Sequence, residues 1–259
     1  MDLRLTRRRV LITGGSRGIG LAIGRCLAAE GATVTLVARD AVAVERQAAL
    51  LRSETGTTVF GLSADTGDGD SVTTMVAAAL DRMGGVDILV NNAATTNPGA
   101  IPDDRLEEEI NVKVRGYLRC ARAVAPGMVE RGWGRIINVA GLAARQTGSV
   151  TGSIRNVAVA ALTKNLADEL GPAGVNVTVV HPGPTRTDTL TAALRERARV
   201  EGVRPEDIEQ RFADATTTGR LVDPEDVAAV VTFLASPLSV ALNGDAVLAT
   251  GGVRGPIHY

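Results

Sequence analysis

The stretch LITGGSRGIGLAIG, residues 11–24, decides the fold. A short apolar run ends at Thr13, glycines follow at positions 14, 15, 18 and 20, and helical apolar spacing begins within the same stretch. A glycine-rich turn lets backbone amides approach a pyrophosphate because glycine lacks a Cβ, and the N-terminus of the helix adds a favourable partial charge. The stretch therefore predicts a strand, a dinucleotide phosphate site and a helix, in that order.

The rest of the chain repeats this alternation of short β-branched runs with longer helical patterns. Most of the runs lack strict polar and apolar alternation, as expected for strands buried on both faces. Parallel neighbours need helical crossovers, so we predict a doubly wound, Rossmann-type α/β sheet of seven parallel strands with helices on both faces. The predicted strands are 9–13, 33–38, 58–62, 87–91, 135–140, 175–180 and 246–250. The predicted left-handed helix caps are Gly31, Gly56, Gly84 and Gly171.

Composition excludes several classes of protein. The chain of 259 residues is 45% hydrophobic, and its formal net charge of −1 does not favour nucleic acid or an anionic membrane. Two cysteines are too few for a disulfide framework, and the first apolar run is too short for a signal peptide. We expect a cytoplasmic protein with a single domain over residues 1–259, a small-molecule substrate and no metal site.

Residues 184–222 differ from the rest of the chain because they are charged and interrupt the rhythm of strands and helices. Loops beyond strand ends often carry function, so we expect a substrate lid here. The lid arginines either accept an anionic group, such as a CoA or a carboxylate, or form a solvated helical face. They are Arg186, Arg195, Arg197, Arg199, Arg204 and Arg211.

Several motifs, in order along nearly the whole chain, resemble the short-chain dehydrogenase/reductase family. Residues 13–20 are similar to its T-G-x-x-x-G-x-G motif, VDILVNNAA (86–94) to its N-N-A-G motif, and HPGPTRT (181–187) to its P-G-x-x-x-T segment. Asp65 resembles the family's adenine-contacting acid. The cofactor-binding residues implied by this resemblance are Gly14, Ser16, Arg17, Gly18, Ile19, Gly20, Asp65, Asn91, Ala93, Pro182, Gly183, Thr185 and Thr187.

The end of the second strand bears on the choice between NADP and NAD. An acid there would hydrogen-bond a free ribose 2′-hydroxyl, whereas an arginine pairs with a 2′-phosphate. The sequence places Arg39 at this point, with Arg17 as a second partner, and Asp40 follows one residue later. We therefore expect NADP, with NAD as the less favoured cofactor.

The family usually carries a catalytic tetrad of Asn, Ser, Tyr and Lys, and this chain has other residue types at those positions. The only tyrosines are Tyr117 and Tyr259, and no Tyr-x-x-x-Lys pair exists in the chain. Alignment through Gly116 places Lys113 at the asparagine position, and another register places Asn111 there. The serine, tyrosine and lysine positions are then occupied by Gly141, Gly152 and Asn156.

Several residues are candidates for moving the proton. In the preferred register Lys113 and Asn156 exchange the family's lysine and asparagine, and both are predicted catalytic residues, together with Ser153. Arg155 could polarise an oxygen but cannot supply a proton. The remaining candidates are His181, and His258 with Tyr259 from a neighbouring subunit.

The resemblance implies an NADP-dependent oxidoreductase that acts on a carbonyl, an alcohol or a related small molecule through a non-standard proton relay. The alternatives are a non-redox dehydratase, isomerase or lyase on the same fold, or a catalytically silent NADP-binding regulatory protein. The resemblance also implies a homo-oligomer, a dimer or tetramer, formed through helices near 104–131 and 151–170.

Overall fold

Seven parallel strands form one sheet in the order β3-β2-β1-β4-β5-β6-β7. The structure is a computed structural model, and it describes residues 1–95 and 105–255. Each pair of neighbouring strands runs parallel, which confirms the predicted doubly wound sheet. The strands are β1 Arg9–Thr13, β2 Thr33–Ala38, β3 Val59–Ser63, β4 Ile88–Asn91, β5 Gly134–Val139, β6 Val175–Pro182 and β7 Ala246–Ala249.

Helices cover both faces of the sheet and connect its strands. They are α1 Gly18–Ala29, α2 Ala41–Thr55, α3 Gly69–Met83, α4 Leu106–Glu109, α5 Gly116–Glu130, α6 Val150–Leu170, α7 Asp188–Glu201, α8 Pro205–Asp214 and α9 Pro224–Ala235. A π-helical turn, Ile110–Arg115, joins α4 to α5. None of the helices in the described ranges is both long and apolar enough to cross a membrane.

The core consists of two apolar layers, one on each face of the sheet. Ile23 of α1 and Val231 of α9 belong to the first layer, and Met75 of α3 and Val124 of α5 belong to the second. Within β1, Ile12 faces the first layer and Leu11 the second, because successive strand residues point to opposite faces. Burial on both faces explains why the strands lack polar alternation.

Three of the four predicted helix caps are left-handed, and one prediction was wrong. Gly31, Gly56 and Gly84 have φ values of 82°, 68° and 71°. Gly171 has a φ of −56° and continues into a 3-10 turn that contains Pro172. The left-handed residue is Gly174, with a φ of 83°, so the chain turns towards β6 three residues later than predicted.

The order of the strands creates a crevice above the sheet. β1 pairs with β2 on one side and with β4 on the other, so the connections leave in opposite directions from this point. Open α/β sheets bind ligands at such a switch point, beyond the carboxyl ends of the strands. The glycine turn after β1 lies at this position.

Candidate active site

A cavity of about 890 Å³ opens at the carboxyl ends of the central strands. Its size lies within the range of small-molecule and cofactor sites, about 300–1,000 Å³. One half is lined by the glycine turn and the ends of β2 and β3, and the other by the ends of β4, β5 and β6 with the π-helical turn. Most of the predicted cofactor residues line it: Gly14, Ser16, Arg17, Gly18, Ile19, Arg39, Asp65, Ala93, Pro182, Gly183, Thr185 and Thr187.

The glycine turn is held by the loop that follows β4. Asn92 Nδ2 donates to the carbonyl oxygens of Thr13 and Gly14 at 3.2 and 3.0 Å. Gly14 has a φ of 67°, and a Cβ there would lie 2.8 Å from Asn92 Nδ2. A side chain at Gly20 would lie 2.2 Å from the Gly14 oxygen. These close approaches leave a backbone cradle of the kind that a pyrophosphate requires.

Three guanidinium groups line one end of the cavity. Arg17 and Arg39 were expected there, and Arg46 of α2 joins them. Among the described residues, none of the three forms a salt bridge with a carboxylate. Asp40 caps α2 by accepting a hydrogen bond from Ala43 N at 2.9 Å. This end of the cavity is therefore suited to a phosphate group.

Lys113 lines the opposite half of the cavity. It lies on the π-helical turn between α4 and α5, an irregularity that is frequent at functional sites. The residue is only 5% exposed, and its Nζ donates a hydrogen bond of 2.8 Å to the carbonyl oxygen of Ala140, just beyond β5. The amine is thus fixed at the carboxyl end of the sheet.

The surroundings of Lys113 favour its neutral form. Burial, followed by the positive charge of Arg155, lowers the pKa of Lys113 to about 7, while the charge of Glu109 acts in the opposite direction. Glu109 is 2% exposed, and its Oε2 forms an ion pair with Arg155. A pKa near neutrality suits a group that both holds and releases a proton at physiological pH.

The two candidate residues on the π-helical turn have different surroundings. Asn111 Nδ2 donates to the Gly67 oxygen at 2.9 Å, and Asn111 Oδ1 accepts from Arg119 at 3.0 Å. Asn111 is not among the residues that line the cavity, whereas Lys113 is. Of the two candidates, Lys113 is therefore the one that can reach a molecule in the cavity.

Four of the predicted site residues are not part of the cavity wall. Asn91 is fully buried, and its Nδ2 donates to Tyr117 O and Asn138 Oδ1, so its side chain lies behind the cavity wall and its predicted cofactor role stays a prediction. Gly20 acts through its lack of a Cβ, because its backbone packs against Gly14.

Two of the residues predicted as catalytic, Ser153 and Asn156, lie outside the cavity lining. Ser153 Oγ donates to the Gln146 oxygen at 3.3 Å, away from the cavity lining. Asn156 is 3% exposed, and a Cβ at Gly141 would lie 3.1 Å from its Nδ2. Both side chains therefore support the loop after β5 and do not line the cavity.

The chain's tyrosines and histidines do not enter the described cavity lining. Tyr117 is buried on α5, its hydroxyl donates to Val139 O at 2.8 Å, and burial raises its pKa far above the usual value. His181 is fully buried, with Nδ1 3.0 Å from the Gly141 oxygen. His258 and Tyr259, predicted as a contribution from a neighbouring subunit, lie outside the described residues.

Residues 184–222, predicted as a lid, contain α7 and α8, which pack on each other through Leu194, Ala198 and Ile208. Leu190 and Ala193 of α7 reach the cavity wall. The lid arginines do not line the cavity, and salt bridges engage Arg186, Arg197, Arg199, Arg204 and Arg211. Of the two alternatives left open for them, the structure favours the solvated, ion-paired surface.

Sequence reasoning missed three residues that shape the site. Asn92 follows Asn91 in the motif that resembles the family's N-N-A-G sequence. Because β4 ends at Asn91, Asn92 lies beyond the strand and lines the cavity, whereas Asn91 does not. Arg46 lies six residues after the helix cap Asp40, so it projects from the second turn of α2. Glu109 had no local signal, because its partner Arg155 lies 46 residues away in the chain.

Comparisons with known proteins agree with this geometry. The family model described as enoyl-(acyl carrier protein) reductase matches residues 14–254. The 3-oxoacyl-[acyl-carrier-protein] reductase FabG of Vibrio harveyi is 34% identical over 266 residues, covering 97% of this chain and 99% of its own. The short-chain reductase protein NovJ of Streptomyces niveus is 35% identical, covering 93% of this chain and 92% of its own.

A solved structure shares the fold over almost the entire length. The L-sorbose reductase of Gluconobacter frateurii, crystallised with NADPH and L-sorbose, superposes with a TM-score of 0.94. It is 30% identical to this chain and covers 99% of it, and this chain covers 100% of the reductase. Relatives in both comparisons are oxidoreductases.

Proposed function

The chain belongs to the short-chain dehydrogenase/reductase family, and on that premise we propose that it is an NADPH-dependent carbonyl reductase whose proton donor is Lys113. The relatives named above are reductases, which supports the reaction class. The observation that carries the proposal is the cavity itself, which joins a phosphate cradle and three arginines at one end to a buried lysine at the other.

The residues present fit NADPH. Gly14 and Gly18, with φ values of 67° and 54°, take a left-handed backbone conformation in the cavity lining, and Arg17 and Arg39 supply charge for a 2′-phosphate. Bound NADPH would supply the hydride. Pro182, Gly183 and Thr185 would hold the far end of the cofactor.

Lys113 takes over the role that the missing phenol has in this family. Its Nζ would donate a proton to the substrate oxygen as that oxygen gains negative charge, which is general acid catalysis. The Ala140 carbonyl holds the amine in place at 2.8 Å. Burial, and then the positive charge of Arg155, lower the pKa of Lys113, so this lysine releases its proton more readily than an exposed one. This makes the chain a divergent member with an atypical active site.

Two features of the surroundings complete the proposal. Residues 184–222 form a substrate lid within the single domain, which is supported by Leu190 and Ala193 in the cavity wall.

The protein assembles as a homodimer or homotetramer, which is supported by exposed apolar side chains on α6: Val150, Ile154 and Val157. Light scattering on the purified chain tests the assembly.

The function is tested by the oxidation of NADPH in the presence of a panel of carbonyl compounds. The panel contains a 3-oxoacyl thioester and L-sorbose, on which the named relatives act, together with simple aldehydes, ketones and quinones. Calorimetry measures NADPH binding in parallel, with NADH as the comparison. Turnover of any member with preference for NADPH supports the proposal. Tight NADPH binding without turnover across the panel would favour a silent binding protein or a non-redox enzyme instead.

A further inference from the structure

The amine of Lys113 occupies an unusual environment for a lysine. It is buried, it lines a cavity, and its recorded hydrogen bond goes to the neutral Ala140 oxygen. Within the described parts of the chain, no carboxylate lies within salt-bridge distance of it. The nearby carboxylate of Glu109 is instead engaged by Arg155. A buried ammonium without its own counter-ion is costly, so the neutral amine is favoured.

The cavity around this amine also suits a nucleophile. Val112, Val139 and Ala140 line the wall next to Lys113, and Arg155 adds a positive charge. A lysine that is desolvated, or placed next to another cation, is activated as a nucleophile towards carbonyl carbons. The same side chain therefore combines access to small molecules with an available lone pair.

We propose that Lys113 is a carbonyl-conjugation site, at which aldehydes and ketones that enter the cavity form a reversible imine with its Nζ. This activity goes beyond hydride transfer, because it needs neither NADPH nor a proton relay. It makes the cavity a covalent binding site for small carbonyl compounds.

The condensation is balanced without a further reactant. The lone pair of Nζ attacks the carbonyl carbon, and one proton moves from nitrogen to oxygen to give a carbinolamine. Loss of that oxygen as water, with uptake of one proton from solvent, leaves a protonated imine. Addition of water reverses the sequence and returns the free amine and the carbonyl compound.

The chain contains an internal control, because Lys113 and Lys164 are its only lysines. The side chain of Lys164 is 60% exposed and forms an ion pair of 2.7 Å with Asp168. The hydrogen bond from Lys164 to Asp168 raises the pKa of Lys164, so this amine stays charged near neutrality. Accessibility alone would therefore favour labelling of Lys164, and chemical activation would favour Lys113.

The experiment treats the folded protein with propanal and sodium cyanoborohydride near neutral pH, in the absence of NADPH. Cyanoborohydride reduces the imine to a stable secondary amine, and peptide mass spectrometry locates it. We expect Lys113 to be labelled faster than Lys164 by about tenfold or more, because a larger fraction of its amine is neutral. The variant Lys164→Arg should retain this labelling, and denatured protein should lose the selectivity. Peptide mapping separates adducts on the N-terminal amine.

Equal labelling of the two lysines, preferential labelling of Lys164 or absence of an adduct on Lys113 would overturn the inference. These outcomes are independent of the proposed reductase function. A protein that oxidises NADPH with a carbonyl substrate but leaves Lys113 unlabelled is a reductase without a conjugation site. A protein labelled at Lys113 that oxidises no NADPH retains the conjugation site and loses the proposed function.

Discussion

The Nζ of Lys113 donates a 2.8 Å hydrogen bond to the carbonyl oxygen of Ala140. This contact ties the π-helical turn before α5 to the chain just beyond β5, and it holds a buried amine at the cavity. Because burial lowers the pKa of Lys113 to about 7, the amine changes between its charged and neutral forms within the physiological range. The proposed activity should follow that change.

The two directions of the reaction should depend oppositely on pH. Reduction of a carbonyl needs protonated Lys113, so its kcat should fall as the pH rises through about 7. Oxidation of the corresponding alcohol needs the neutral amine, so its kcat should rise over the same interval. Steady-state rates in both directions, measured with saturating cofactor, check this. Parallel profiles in the two directions would rule out Lys113 as the titrating group.

Removal of the buried amine should stabilise the protein near neutrality. Burial, and then the charge of Arg155, lowers the folded-state pKa of Lys113 to about 7, so the unfolded chain binds one more proton between that value and its ordinary pKa of 10.5. Stability of the wild type therefore rises with pH across this interval. Lys113→Met should be more stable by about 2 kcal/mol at neutral pH, after the lost bond to Ala140 is allowed for.

Urea unfolding of the wild type and Lys113→Met at several pH values measures this difference. The difference in free energy of unfolding between the variant and the wild type should shrink as the pH approaches about 10. Near that pH the amine of Lys113 becomes neutral in the unfolded chain as well as in the folded protein. Lys164→Met serves as the control, because the exposed pair between Lys164 and Asp168 should contribute little to stability. A stability difference independent of pH would contradict the lowered pKa.

Arg39 and Arg17 should determine the preference for NADPH over NADH. A charge-assisted hydrogen bond is worth about 1.5–3 kcal/mol, so Arg39→Ala should raise the Kd for NADPH by about 10- to 100-fold. The Kd for NADH should change little, because NADH lacks the 2′-phosphate. Calorimetry with both cofactors measures the effect, with Arg25→Ala as the control because that exposed residue of α1 pairs with Glu54. An equal rise in Kd for NADPH and NADH would show that Arg39 does not recognise the 2′-phosphate.

Alanine substitutions at Gly14 and Gly56 should distinguish the cost of backbone strain from the loss of cofactor binding. Both have φ values near 67°, but a Cβ at Gly14 would lie 2.8 Å from Asn92 Nδ2, and at Gly56 it would meet nothing within 4 Å. Gly56→Ala should cost about 1 kcal/mol of stability and leave cofactor binding intact. Gly14→Ala should carry this strain and also weaken NADPH binding by at least about tenfold. Thermal unfolding and calorimetry on both variants test the contrast.

The features that follow from local chemistry were predictable from the sequence. The glycine turn, the strand runs and the helix caps at Gly56 and Gly84 depend on neighbours close in the chain, and the structure confirms them. The match through Gly116 named Lys113, and this residue lies in the cavity lining, while its catalytic role stays a prediction. Gly116 itself is required there, since a Cβ would lie 2.8 Å from the Thr66 oxygen.

The features that depend on distant contacts were not predictable. Asn91 and Asn92 differ only in position at the end of β4, yet one is buried against Asn138 and the other holds the glycine turn. Asn156 was predicted as a catalytic residue from its place in the chain, but it lies against Gly141 and outside the cavity wall. The pair of Glu109 with Arg155, which sets the charge around Lys113, joins two helices that no local pattern links.

The most direct test compares the wild type with Lys113→Met in the reduction of a carbonyl substrate by NADPH, with Lys164→Met as the control. Methionine fills a similar volume without a proton to give. Lys113→Met is expected to bind NADPH with a Kd within about twofold of the wild type and to lose at least about 100-fold in kcat, the magnitude expected for loss of a general acid. Lys164→Met should retain the wild-type rate. A Lys113→Met enzyme that turns over at the wild-type rate would show that Lys113 is not the proton donor.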